Sequence, residues 1–375
     1  MKVLHLSHNG LPDWRIEKSA MTACKNGYKT FFAGDKQAND CVTSAFSKTF
    51  EIDWFAGGKI GPNSGAKLGL PYYWGLVKKR IRAIIEETRP DIIHAHNIYS
   101  GKMALQLKLP FVYDDHEYWS KQASLTGIRR NSSFFTRMPR TLARHYVQRL
   151  WSSWEEEIVT TTPVITVSES IIDDFKARYQ NDKLFLLPNF PTRMEIQDFG
   201  QPRKHTKLIS IYAGVEALHK NVPHRNIDGF PELFESNDIG GLVLIGPKAQ
   251  SSAKVRYTGF LKREDMFSEM ANGSIGILPW KKHWFHQYAN PNKVYEYAHA
   301  GLFVISTSSL KMVTNALKEN CATFDDYECL VSQLQTMNDD LDELYNKRIK
   351  IFEFARSNLV WEIYERNIFS AYQAC

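Results

Sequence analysis

The stretch YANPNKVYEYAHAGLFVIST, Tyr288 to Thr307, places a short helix directly before a buried strand. Asn290 suits the N-cap, Pro291 the first helical position, and Gly301 a stop about ten residues later. The unpaired N–H groups at the start of such a helix form an anion site, and Lys293 adds a positive charge in the first turn. The helix dipole disfavours a cation there, so its presence points to an anionic ligand. Glu296 lies one turn on, where its carboxylate could accept paired hydrogen bonds from sugar hydroxyls, or pair with Lys293 as a surface salt bridge.

The same alternation extends outward in both directions. Upstream lie strand candidates at Leu208 to Gly214, Leu242 to Gly246 and Ser274 to Trp280, and Leu302 to Ser308 follows the helix. An earlier series starts with the strand Met1 to Ser7, a turn at Asn9, Gly10 and Pro12, a helix from Trp14 to Asn26 and a strand from Tyr28 to Ala33. It continues with VKKRIRAIIEETR, stopped by Pro90, and strands at Asp91 to His96, Pro110 to Asp115, Val164 to Val167 and Leu184 to Pro188. Strand and helix in alternation predict an α/β protein with parallel sheets covered on both faces. FPTRMEIQDFGQPRKHTK, from Phe190 to Lys207, lacks periodicity. The expected layout is therefore a Rossmann-like domain over 1–190, a linker over 191–207 and a second such domain over 208–340. A helical segment over 341–375 is expected to pack back across both domains. Open parallel sheets bind ligands at the carboxyl ends of their strands, so the function is expected at a cleft across which two such sheets face each other.

Composition removes several classes of function. Of 375 residues, 43% are apolar, 13% aromatic and 23% charged, with 21 Gly and 15 Pro, which excludes disordered and collagen-like chains. No apolar run approaches the ~18 residues of a membrane span, and the amino terminus breaks too early for a signal peptide, so a cytoplasmic protein is expected. Cys24, Cys41, Cys321, Cys329 and Cys375 show no CxxC spacing and read as reduced thiols. A net charge of +6 does not call for nucleic acid, and none is expected as a partner.

Charge is nevertheless uneven. Residues 118–154 hold Lys121, Arg129, Arg130, Arg137, Arg140, Arg144 and Arg149 with no acid until after Trp154, interleaved with Phe134, Phe135, Met138, Trp151 and Trp154. Leu142, Tyr146, Leu150 and Trp154 fall on one helical face. Such a stretch could rest on an anionic membrane surface, making the protein peripheral there, or its aromatics could belong to the core with the arginines solvated. His94 and His96 alternate on one strand near DDHE (Asp114 to Glu117), a set that could hold a metal. The second half offers only His283 and His286 as further ligands, and no metal is expected.

The segment NKVYEYAHAG (Asn292 to Gly301) resembles the donor site of the GT-B glycosyltransferases, specifically the retaining glycosyltransferase family 4, with Tyr288 at the first position of that family's pair of glutamates. DDHEYW (Asp114 to Trp119), ITVSES (Ile165 to Ser170), LPNFP (Leu187 to Pro191) and DWRIEKSAMTACKNGYKTFF (Asp13 to Phe32) follow the family in order, so the resemblance spans nearly the whole chain. It implies GT-B architecture and transfer of a sugar, with retention, from a nucleotide-sugar donor to a glycan or lipid-linked acceptor, a UDP-sugar being favoured. It further implies that Glu296 holds the ribose and that His116 faces the transferred sugar. Lys220 and Arg225, in HKNVPHRN, resemble the basic pair at the diphosphate, to which Lys293 and the helix start at Asn290 and Asn292 add; Gly10 stands where the family has paired glycines. His116, Arg225 and Lys293 are thus the expected catalytic groups, and Asp13, Arg15, Asp115 and Glu117 the acceptor-side groups. Cations and helix N–H groups that meet the leaving diphosphate remove the need for a cofactor or metal. Two other outcomes fit the same residues: a nucleotide-sugar-binding subunit without catalysis, and a nucleotide-sugar epimerase.

Overall fold

In the computed structural model the chain divides into two units, Met1–Leu187 with Tyr364–Cys375, and Pro188–Ile363. The structure describes residues 1–36, 44–54, 71–125, 134–214 and 222–375, with backbone only for 71 and 134–144.

The first unit is built on a seven-stranded parallel sheet in the order β3-β2-β1-β4-β5-β6-β7. Its strands are β1 (Lys2–Ser7), β2 (Lys29–Gly34), β3 (Lys48–Glu51), β4 (Ile92–His96), β5 (Phe111–Asp115), β6 (Val164–Thr166) and β7 (Leu184–Leu186). Central strands β4 and β5 are buried at every position, so they show no alternation with solvent and their polar residues, His94, His96, Asp114 and Asp115, are interior. The helices are α1 (Trp14–Lys25), α2 (Pro71–Thr88), α3 (Asn97–Leu107), α4 (Trp119–Gln122), α5 (Phe134–Val159), α6 (Glu169–Tyr179) and, from the carboxyl end of the chain, α13 (Arg366–Gln373).

Local signals explain several of these boundaries. The Asp13 carboxylate accepts the backbone N–H groups of Arg15 and Ile16 and so caps α1, an interaction typically worth about 1 kcal/mol. Ile16 and Ala20 of that helix then pack on Leu11, Phe32 and Phe46. Strand β3 and helix α3 escape sequence reading for different reasons. The former is an edge strand with two exposed positions, and the latter is buried over most of its first two turns and has little amphipathic contrast.

The second unit repeats the plan with six parallel strands in the order β10-β9-β8-β11-β12-β13. These are β8 (Ile209–Ala213), β9 (Gly241–Ile245), β10 (Val255–Gly259), β11 (Ile275–Leu278), β12 (Phe303–Thr307) and β13 (Cys321–Phe324). Around them lie α7 (Phe230–Ser236), α8 (Arg263–Ala271), α9 (Asn292–His299), α10 (Lys311–Leu317), α11 (Tyr327–Asp339) and α12 (Leu341–Asn358). The helix anticipated from an Asn290 cap begins one residue late: Pro291 is the N-cap and Asn292 the first helical residue. Gly301 ends it at φ +70°, and Leu302 N–H returns to the Tyr297 carbonyl, so the stop signal acts as read.

The carboxyl-terminal segment is not one helix. It breaks after Asn358 because two backbone groups bond elsewhere within the second unit: the Leu359 carbonyl pairs with His299 Nε2 at 2.9 Å, and the Trp361 N–H donates to Pro191 O at 2.9 Å. Residues Tyr364–Cys375 then belong to the first unit, where Asn367 donates to Leu186 O at 2.8 Å.

Candidate functional site

In the first unit the strand order reverses between β1 and β4, the position where open α/β sheets bind ligands. Parallel register there pairs His5 with His94, Ser7 with His96, and His96 with Asp114. With a side-chain period of two, His5, His94, His96 and Asp114 share one face of three adjacent strands, and Asp115 takes the other.

Asp114 is the hub. It is fully buried, yet Arg15 clamps it from α1 through Nε (3.1 Å to both oxygens) and Nη2 (2.8 Å to Oδ1). Burial alone would raise its pKa; the Arg15 guanidinium and the neighbouring His116 instead hold it well below the usual carboxylate range. His94 Nε2, His96 Nδ1 and His116 Nε2 each lie 3.4 Å from Asp114 Oδ2. His94 Nδ1 meets the Tyr372 hydroxyl at 2.8 Å, and His5 Nδ1 meets His96 Nε2 at 3.0 Å. Burial lowers the pKa of His5, His94 and His96, so this interior set is neutral. His116, just past β5, keeps a side chain 12% exposed, the one imidazole of the four that reaches the surface. Its backbone N–H lies 3.4 Å from Asn97 Oδ1, which also accepts Trp119 Nε1–H at 2.9 Å. Asn97 itself sits at φ +68°, a conformation asparagine tolerates better than most residues.

The residues expected on the acceptor side separate. Asp13 is a helix cap. Arg15 is 7% exposed and spends its fork on Asp114 and the Leu187 carbonyl, 2.7 Å away. Asp115 is fully buried, accepts the Tyr113 hydroxyl at 3.0 Å, and has its pKa pushed well up by burial and by Glu155. Glu117 is exposed and accepts from Gln122 Nε2 at 2.6 Å. Gly10 has a packing reason to be glycine, since a Cβ there would lie 2.2 Å from the Lys36 carbonyl oxygen.

In the second unit the sheet reverses between β8 and β11, and the expected anion-binding residues gather there. Trp280, two residues beyond β11, is 3% exposed and serves as their common floor. The Arg225 guanidinium lies 5.6 Å from its ring centroid and the Lys293 ammonium 5.9 Å, with Lys293 also 5.5 Å from the ring of Tyr212 on β8. Two cations separated by 68 positions in sequence thus converge beside the amino terminus of α9. His286 fixes the segment that carries Arg225: its Nε2 pairs with the His224 carbonyl at 2.5 Å and its Nδ1 with Ser309 Oγ at 2.7 Å. Burial brings its pKa down to about 4, so it is a neutral structural group. His283 caps the short turn Trp284–Tyr288 through the Phe285 N–H. Lys220 lies outside the described residues.

Glu296 is 7% exposed on α9, and its Oε1 accepts Arg263 Nη1 at 3.0 Å. Arg263 also donates to Glu195 Oε1 at 2.7 Å, giving a Glu195–Arg263–Glu296 chain. The salt bridge weighed between Lys293 and Glu296 is replaced by this one. Nothing in LKRED (Leu261 to Asp265) marks Arg263 in the sequence, because its partner is 33 residues away. Asn290 is 7% exposed, and its carbonyl accepts Asn189 Nδ2–H at 3.1 Å.

The basic stretch divides as well. Trp151 and Trp154 are buried, Trp151 5.0 Å from Trp119 and Trp154 5.4 Å from Trp74 between ring centroids, so they serve the core. Tyr146 and Arg149 are exposed. Arg129 and Arg130 lie outside the described residues, as do the side chains of Phe134, Phe135, Arg137, Met138, Arg140, Leu142 and Arg144. Among the described residues no helix is long and apolar enough to cross a membrane. Cys24, Cys321, Cys329 and Cys375 are free thiols, and Cys41 lies outside the described residues.

Residues 39–190 match the family model for Glycosyltransferase Family 4. No curated protein sequence matches the chain. Among solved structures, sucrose-phosphate synthase from Thermosynechococcus elongatus is similar at TM-score 0.72 and 12% identity, over 99% of this chain and 98% of that one. Alr3699/HepE of Anabaena in complex with UDP-glucose is similar at TM-score 0.67 and 11% identity, with both chains covered fully. A Listeria monocytogenes protein described as a UDP-N-acetylglucosamine 2-epimerase is similar at TM-score 0.52 and 11% identity, over 95% of this chain and 94% of that one. At such identities the likeness establishes the fold, which is GT-B, and residues 39–190 within it are the part similar to the Glycosyltransferase Family 4 model.

Proposed function

From a region similar to Glycosyltransferase Family 4 on a GT-B fold, we propose that the protein transfers a sugar from a nucleotide-sugar donor, with a UDP-sugar favoured, to a glycan or lipid-linked acceptor. The observation that carries this reading is the convergence of Arg225 and Lys293 on Trp280 at the start of α9. Departure of a nucleoside diphosphate from the anomeric carbon builds negative charge on the leaving oxygens. Preorganised cations and helix N–H groups stabilise that charge more in the transition state than in the ground state. Arg225 supplies a planar fork for two oxygens and Lys293 a compact charge, so this step runs without a metal at the diphosphate. Glu296, steadied by Arg263, takes the ribose hydroxyls, and His116 meets the transferred sugar. Retention of anomeric configuration and a peripheral contact of residues 118–154 with an anionic membrane belong to the same reading.

The test is a screen of the purified chain against UDP-, GDP-, ADP- and CMP-sugars by calorimetry and nucleotide release, with and without chelator. Saturable binding of one donor with slow, chelator-resistant release of nucleotide is expected. No binding to any donor would remove Arg225, Lys293 and Glu296 from a donor site. The likeness to a protein described as an epimerase keeps a second outcome open. Conversion of the donor with no acceptor present and no nucleotide released would show epimerisation instead.

A further inference from the structure

We propose that His96, Asp114 and His116 form a binding site for a divalent transition-metal ion of the zinc class. Three donor atoms meet there in a nearly equilateral triangle. His96 Nδ1 is 3.2 Å from His116 Nε2, and each is 3.4 Å from Asp114 Oδ2. Ligands at about 2.0–2.1 Å from a tetrahedral ion stand about 3.3–3.4 Å from one another. The two imidazole–carboxylate contacts are longer than an ordinary N–H···O hydrogen bond of about 2.7–3.2 Å, and the His96–His116 contact, at 3.2 Å, also matches the ligand–ligand spacing.

The surroundings have the features that ligand sets require. If His96 binds through Nδ1, its Nε2–H is left to donate to His5 Nδ1, 3.0 Å away, which fixes the tautomer. Asp114 accepts Arg15 Nη2 on Oδ1 at 2.8 Å and Arg15 Nε on both oxygens at 3.1 Å, while the three imidazoles face Oδ2. The Arg15 charge opposes a cation, so the site binds more weakly than one with an uncompensated carboxylate. His96 and Asp114 are fully buried, whereas the His116 side chain is 12% exposed and offers the route of entry. A second set, His5, His94 and His96, lacks an anionic ligand, and its 3.0 Å contact is a hydrogen bond. Three protein ligands leave a fourth position for water.

Titration of chelator-stripped full-length chain with Co²⁺, followed by its d–d absorption, and with Zn²⁺ by calorimetry tests the site without reference to sugar transfer. Expected are one ion per chain, a four-coordinate nitrogen/oxygen spectrum, at least a tenfold loss of affinity in His116→Ala, and no change in His283→Ala. Circular dichroism verifies that the variant is folded; His96→Asn deletes a second ligand should His116→Ala fail that check. Absence of saturable binding, unchanged affinity in the ligand variants, or a thiolate charge-transfer band would each overturn the proposal.

Discussion

Replacing Arg15 with methionine keeps most of the side-chain volume but strands a carboxylate in the interior. Asp114 is fully buried and Arg15 7% exposed, and the guanidinium supplies all three of the close donor contacts to the carboxylate, at 2.8–3.1 Å. The Leu187 carbonyl loses its donor as well. Removing one partner of a buried ion pair costs about 3–5 kcal/mol because the other charge stays behind. For a unit of about 200 residues, each kcal/mol moves the melting temperature by roughly 2–4 °C, so Arg15→Met should lower it by roughly 6–20 °C. Calorimetric melts at pH 7 measure this directly. The pH dependence follows from the direction of the Asp114 shift. A depressed folded-state pKa contributes stability that is present above the unfolded value near 4 and is lost as pH falls from there toward the folded value. In the variant the burial that Arg15 offsets raises the Asp114 pKa, so the gap between wild type and variant narrows on acidification from that raised value downward, as the variant's carboxyl takes up its proton before the wild type's does. A fall of less than about 2 °C at pH 7, or a gap that widens on acidification, would refute the view of Arg15 as the counter-ion of a buried charge.

Arg225→Ala and Lys293→Ala should each weaken donor binding about 10–100-fold, the loss of a charge-assisted contact worth about 1.5–3 kcal/mol; calorimetry showing unchanged affinity in both would remove them from the diphosphate. Glu296→Ala should weaken donor binding and slow turnover, and unchanged values for both would sink its assignment to the ribose. His286 and His299, each brought down to about 4 by burial, oppose folding once the unfolded chain binds protons below about pH 6.5, by about 2 kcal/mol each at pH 5. Denaturant melts at pH 7 and 5 on His286→Gln should then show a shallower acid loss than wild type. Trp154→Ala should cost about 3–5 kcal/mol, whereas Tyr146→Ala, 48% exposed, should stay within about 0.5 kcal/mol in the same measurement.

The sequence by itself determined the α/β class, most of the strands and the short helix at Asn292, because a strand covered on both faces is largely apolar and helix ends need particular residues. The edge strands β3, β10 and β13 stayed illegible, since exposed or half-buried positions carrying polar residues break that apolar run. Lys293 was readable from its place against the helix dipole, and Arg225 from the resemblance alone. Tertiary structure decided the partners. Parallel register carried Asp114 to His96, strand order brought β1 beside β4, and folding delivered Arg15 to Asp114 across 99 positions and Arg263 to Glu296 across 33. A local pattern records how each segment meets solvent or core. Which charge answers which depends on contacts between segments far apart in the chain, and those exist only once the sheets have formed.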